Sequence, residues 1–285
     1  SDTADSAAGD GGAGDAGAAG PGRGMGQRRF GRVNWLGLRT LAEREMRRFL
    51  NVWMQTVAAP LVTAGLFLAI FTLAIGPARG DVMGHPFTHF LAPGILMMTV
   101  IQNAFANVSS SVLVAKVQGN IVDTLMPPLS AGEIVTGFVV GGVARGLFVG
   151  LGIGLAMVPL LGLPLAHPLW VVVFLVLGGA LLGGLGLLAA ILAQKFDHMA
   201  AITNFVITRL SFLSGTFYSV ETVPPAMQAM LHVNPVFYLI DGVRFGVLGV
   251  SDSSPWLGLA VCLGASGAVL ALAWTWVRRG TRLKP

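Results

Sequence analysis

Two arginines, Arg145 and Arg209, each stand inside a long run of apolar residues that is otherwise free of charge. A guanidinium stays protonated in such surroundings, so it finds acceptors on a neighbouring helix, snorkels toward an interface or attracts an anion. Other chemistry has little to stand on. The three lysines, Lys116, Lys195 and Lys284, follow Ala115, Gln194 and Leu283, so there is no Gly-Lys pair and no phosphate-cradling G-x-x-x-x-G-K-[ST] loop. ATP hydrolysis is therefore expected on another polypeptide. Proton or cation relays would need acids or histidines inside the apolar runs, yet Glu133 stands only at the mouth of one run and His89 near the end of another. His85 and His89 are four apart, but Pro86 starts a helix between them, so the pair makes a poor metal site and none is expected. The single cysteine, Cys262, lies in an apolar run and reads as a small packing residue. No nucleophile and base share a recognisable spacing.

The elements that must position these groups are helices in a bilayer. Apolar residues make up 54% of the 285 and charged residues 11%, against about a quarter charged in soluble domains, so the chain cannot clothe itself in water. Val52 to Ile75, Phe87 to Val114, Pro168 to Ala193 and Pro255 to Val277 carry no Asp, Glu, Lys or Arg, and each suffices to cross about 30 Å of hydrocarbon. Ile134 to Ala166 and Met199 to Val220 reach the same length with one arginine each, which predicts six spans. Gly142, Gly146, Gly150 and Gly154, with Gly179 and Gly183, fall four apart and predict close helix packing.

Three further segments are neither spans nor ordinary loops. From Asn34 to Leu50, Trp35, Leu38, Ala42, Met46 and Phe49 step at three and four while Arg39, Glu43, Arg44, Arg47 and Arg48 fill the other faces, which predicts an amphipathic helix in the membrane interface. Between the second and third spans, Lys116 to Gly132 holds Val117, Ile121 and Leu125 four apart with Asn120 and Asp123 between them. Pro127-Pro128 ends that pattern, so a short helix with one apolar edge, fit to dock on a partner, is expected. Beyond the fifth span, Pro224-Pro225 starts a short helix, Asn234-Pro235 breaks it and Val236 to Leu248 resumes, which predicts a re-entrant hairpin with Asp241 and Arg244 on its second arm.

With the N-terminus cytoplasmic, one side of the membrane collects fourteen basic residues and the other only Arg79 and Arg244, so both termini are expected inside. The net charge of +5 then reflects topology, and no nucleic-acid partner is implied. Residues 1–24, almost wholly Gly, Ala, Ser and Asp, read as a disordered tail, 25–50 as the interface helix with its lead-in, 51–278 as the transmembrane domain and 279–285 as a basic cytoplasmic end.

Several motifs in order resemble the ABC-2 type permeases, most closely their YadH-like branch: Glu45-Met46-Arg47-Arg48-Phe49, Pro93-Gly94-Ile95-Leu96-Met97-Met98, Asn120 to Pro128, Gly141-Gly142-Val143-Ala144-Arg145-Gly146, Leu213-Ser214-Gly215-Thr216-Phe217-Tyr218-Ser219, His232-Val233-Asn234-Pro235 and Gly242-Val243-Arg244. The resemblance implies an all-α membrane protein that pairs with a second copy and with two ATP-binding subunits, in the bacterial inner membrane, and exports an amphipathic or lipid-linked molecule. This chain would then bind no cofactor, ATP and Mg being held by the partner. By the same resemblance Lys116 to Pro128 is the coupling helix, Trp35 to Leu50 the interface helix beside the ATPase and Ser219 to Leu248 the outer hairpin. Arg209 replaces a proline common in relatives. With Asn204, Ser211 and Arg145 it is a candidate conduit residue that attracts an anionic head group. Two other readings remain open, a non-transporting scaffold for an ATPase and an ion-coupled carrier.

Overall fold

The computed structural model describes residues 33–121, 123 and 128–280. The expected tail, the basic residues before Val33 or after Gly280, and Leu125 and Pro127 lie outside the described residues.

Among the described residues the fold is helical apart from a two-residue antiparallel ladder, Asp81–Val82 with His85–Pro86. Helix α1 runs Trp35–Leu50, α2 Trp53–Ala74 and α3, a single turn, Gly76–Arg79; α4 follows at Phe87–Val117, α5 at Ala131–Leu161 and α6 at Pro168–Leu192. Short α7 (Phe196–Ile202), a π turn (Thr203–Ile207) and α8 (Thr208–Phe212) follow one another without a break; then come α9 (Pro225–Val233), α10 (Pro235–Leu248) and α11 (Pro255–Arg279). The boundaries have local causes. Ser130 and Glu133 form a reciprocal capping box at the head of α5, prolines occupy the first positions of α6, α9, α10 and α11, and Gly162, Gly249 and Gly280 end helices in the left-handed region.

Among the described residues five helices, α2, α4, α5, α6 and α11, are long and apolar enough to cross a membrane. The stretch expected as the fifth span differs: its helical segments hold 7, 5 and 5 residues, and the chain turns at Leu213 with Gly215 at φ +78°. At 1.5 Å per residue the run covers about 25 Å. Arg209 accordingly sits one turn from the helix end instead of midway along a span.

α4, α5 and α6 pack along one another as the core, with α10 and α11 closing α6 and α2 laid on α4 and α5. Glycine permits the closest approaches. A Cβ on Gly186 of α6 would stand 2.7 Å from the Phe105 carbonyl oxygen of α4, and one on Gly179 would stand 3.0 Å from Val143 Cα of α5. Gly142 and Gly150 likewise face Val108 and Val100 of α4 at 2.8 and 2.9 Å. The stripe ends at Gly154, where a Cβ would meet nothing within 4 Å. Gly186→Ala should therefore lower thermal stability in detergent by about 1–3 kcal/mol through overpacking. Gly154→Ala should leave it unchanged or raise it slightly. Equal melting temperatures for the two variants would contradict this packing.

Candidate functional site

The motif residues gather into two polar nodes at opposite ends of the bundle. The first joins α1 to α4 and α5. Asn34 caps α1 by accepting from the Gly37 amide at 2.9 Å, and its own amide donates to Glu133 of the α5 capping box. The buried face of α1 is Leu41, Glu45 and Phe49. Leu41 sits over Gly137, Glu45 over Gly141, and Phe49 against the Phe148 ring at 5.8 Å. Trp35, expected on the apolar stripe, is 72% exposed.

Glu45 is the residue the periodicity missed. Only 1% exposed, it accepts from the Ser111 hydroxyl at 2.8 Å and pairs with Arg44 at 3.3 Å and Arg48 at 3.6 Å. Arg48 also donates to the Asn107 carbonyl and side-chain oxygens at 2.6 and 3.0 Å. On the outer face of α1, Arg39 donates to Glu43 at 2.6 Å, and that guanidinium holds the Glu43 carboxyl below the usual carboxylate range. Glu43, Arg44, Arg47, Arg48, Asn120 and Asp123 line a cleft of about 690 Å³ between α1 and the segment after α4.

In that segment a turn follows α4, and Ile121 and Asp123 beyond it are helical. Lys116 and Val117 belong to the end of α4, and Gly119 turns the chain at φ +75°. Lys116 Nζ donates to the carbonyls of Ala190, Ile191 and Ala193 at 2.8–3.0 Å, so it caps α6. Ile121 is turned into the core at 4% exposure, whereas Val117 is 49% exposed and Asn120 and Asp123 are exposed. A spacing of four cannot distinguish an edge facing a partner from one facing the chain's own bundle.

The second node ties α10 to the loops around it. Arg244, fully buried, lies 3.9 Å over the Phe90 ring, donates to the Gly215 carbonyl at 2.9 Å, and stands 3.9 and 3.5 Å from Asp241 and Asp252. Asp241 accepts from the Asp252 and Ser253 amides at 2.7 and 2.9 Å, and the Ser219 hydroxyl donates to Asp252. Gly94 of α4 makes room for the Thr216 backbone. The Pro93-Gly94, Leu213 to Ser219 and Gly242 to Arg244 motifs thus meet in one place. Asn234 caps α10 at the Val236 amide, and Pro235 lies beside Cys262, two turns into α11.

The four conduit candidates do not come together. Arg209 is exposed with its guanidinium 4.7 Å from the Phe205 ring, and it lines a cavity with Phe212, Leu213, Tyr218 and Met227. Asn204 is exposed, while Ser211 is buried and donates to the Ile207 carbonyl at 2.8 Å. Arg145 belongs to a separate groove between α2, α4 and α5.

Arg244→Met leaves Asp241 and Asp252 buried without their counter-charge and should cost about 3–5 kcal/mol. Arg209→Leu breaks no hydrogen bond or ion pair among the described residues and should accumulate as the parent does. Membrane abundance and melting temperature of the two variants check this contrast.

Comparison with known proteins adds three observations. The family described as "ABC-2 type transporter" matches residues 37–248. The inner membrane transport permease YadH of Escherichia coli K12 is 38% identical over 252 residues, covering 88% of this chain and 98% of that protein. Nodulation protein J of Neorhizobium galegae is 26% identical over 240 residues, covering 82% and 88%, and that of Rhizobium leguminosarum bv. viciae is 25% identical over 224, covering 77% and 84%.

Proposed function

We propose, from the premise that this chain belongs to the ABC-2 type transporter family, that it is the membrane-spanning subunit of an exporter in the bacterial cytoplasmic membrane. The observation that carries the reading is the match to a transport permease along 98% of that relative's length. The cargo is an amphipathic or lipid-linked molecule, moved outward by a homodimer of this chain with an ATP-binding-cassette subunit that holds the ATP and Mg. The fourteen-to-two distribution of basic residues supports a topology with both termini inside.

On this reading Phe196 to Phe212 is the fifth of six crossings, a short one completed by the turn at Leu213. The α9–α10 pair is the outer re-entrant hairpin. Its broken backbone at Asn234–Pro235 is supported by Asn234 capping and by burial of α10 against α4, α6 and α11, as irregular backbone at membrane depth requires. α1 is the interface helix, and the exposed α2, Asn204 and Arg209 suit a face toward the second copy and its conduit.

The ATPase docks at the cleft beside α1, against the segment running through Val117, Asn120 and Asp123 and on to Leu125 and Pro127. Val117→Asp puts a carboxylate on that exposed surface, where burial against a partner without a counter-charge costs several kcal/mol. Co-purification with the ATPase and transport should both fall while the variant inserts normally. Ile121→Asp, by contrast, should reduce the amount of the chain itself. The purified chain alone should hydrolyse no ATP. Normal co-purification and transport by Val117→Asp would remove the docking assignment, and ATP turnover by the isolated chain would remove the subunit assignment.

A further inference from the structure

The groove between α2, α4 and α5 holds a guanidinium without a counter-ion. Arg145 projects from α5 and donates to the Asn103 side-chain oxygen at 3.3 Å; its Nε is buried and unbonded, and among the described residues it forms no ion pair. No Asp or Glu lines the groove, which measures about 540 Å³, within the usual range for a small-ligand site. The charge of Arg48 does not relieve the imbalance, paired though Arg48 is with Glu45. Arg48 is held at Asn107, one turn along α4 from Asn103, and its like charge bears on Arg145. An arginine half-buried among helices without an acid is costly, and an anion from outside the chain relieves that cost.

The groove is polar at one end and apolar at the other. The Thr88 hydroxyl donates to Thr72 at 3.1 Å, and with α2 antiparallel to α4 this puts Gln55 within about a turn of Gln102 and Asn103, which line the same groove. Arg145 lies at this end, two turns before Gly152, which packs on Val57 of α2. Phe67 and Met98 line the groove farther along, the former about 18 Å from Gln55 by helical rise. Beside the polar end the first turns of α2 expose Val52, Trp53 and Met54, and tryptophan favours the head-group level of a bilayer. α2 leaves most of its surface uncovered, so a molecule in the bilayer can enter sideways.

We propose that this groove binds the anionic head group of a lipid, whose phosphate or carboxylate oxygens are held by Arg145 with the Gln55 and Gln102 amides, while its chain lies along Phe67 and Met98. The proposal rests on the permease reading for the role of the site, as the place where a lipid-like cargo or a companion phospholipid rests. It assigns Arg145, not Arg209, to the anion.

The test is a titration of the full purified chain in neutral detergent, followed by native mass spectrometry, with phosphatidylglycerol and separately with phosphatidylcholine. The parent should retain phosphatidylglycerol preferentially. Arg145→Lys should keep most of that affinity, and Arg145→Gln should lose at least about tenfold, the worth of one charge-assisted hydrogen bond. Gln55→Glu, at an exposed position, should lose as much by supplying the groove with its own carboxylate while the melting temperature is unchanged; it decides the matter should Arg145→Gln fail to accumulate. Millimolar inorganic phosphate should not displace the lipid. Parent-like phosphatidylglycerol affinity in Arg145→Gln or Gln55→Glu, equal affinity of the parent for the two lipids, or displacement by inorganic phosphate would each overturn the proposal. Failure of the permease reading shows up separately, as loss of the ATPase complex in the parent chain, which this lipid titration does not use.

Discussion

Everything in this structure depends on three helix backbones being allowed to touch. α4, α5 and α6 have no hydrophobic drive toward one another in a bilayer, since lipid tails are as apolar as their side chains. What remains is dispersion, and dispersion counts only at short range. Gly186 against the Phe105 carbonyl and Gly179 against Val143 bring the main chains within that range. The contact also limits the amount of side chain the core can hold, so polar residues are displaced to its two ends. There they gather as the Glu45–Arg48 and Arg244–Asp252 nodes.

The nodes show how a membrane protein handles charges it cannot hydrate. Arg244 is wholly enclosed, yet it has an aromatic face, a carbonyl and two carboxylates around it. Glu45 is enclosed as well and meets two guanidiniums and a hydroxyl. Both work as clasps that fix which helix lies beside which, a specificity that apolar surfaces alone supply poorly. Arg145 breaks the pattern, with one amide oxygen and no ion-pair partner among the described residues, where Arg244 has two carboxylates beside it. A site that departs from the rule obeyed elsewhere in the same molecule is where a ligand belongs.

The long helices could be read directly from the sequence, because an uncharged run of spanning length admits few other structures, and the helix starts at Ser130, Pro168, Pro235 and Pro255 carry their own chemical marks. The break between α9 and α10 at Asn234–Pro235 was legible for the same reason. Which face a short helix buries was not. Ile121 and Val117 share a spacing but point into the core and away from it respectively, and Glu45 looks like one more surface charge until Ser111 and Arg48 are placed beside it. Lys116 reads as a loop cation and proves to hold the end of α6. The break at Leu213 depends on how Gly94 seats Thr216, a contact between segments more than a hundred residues apart. Such facts belong to pairs of segments, and a single segment does not contain them.

The bonds from Lys116 to three carbonyls at the end of α6 have a mechanical meaning. They weld the tip of α4 to the tip of α6, while Gly119, immediately beyond the weld, turns the chain in a backbone region that few other residues occupy comfortably. A force applied at the turn is therefore delivered to two rods at once. Because α6 runs on to grip α10 through Gly242 and Gly246, the load path reaches the opposite face of the molecule without passing through any loop.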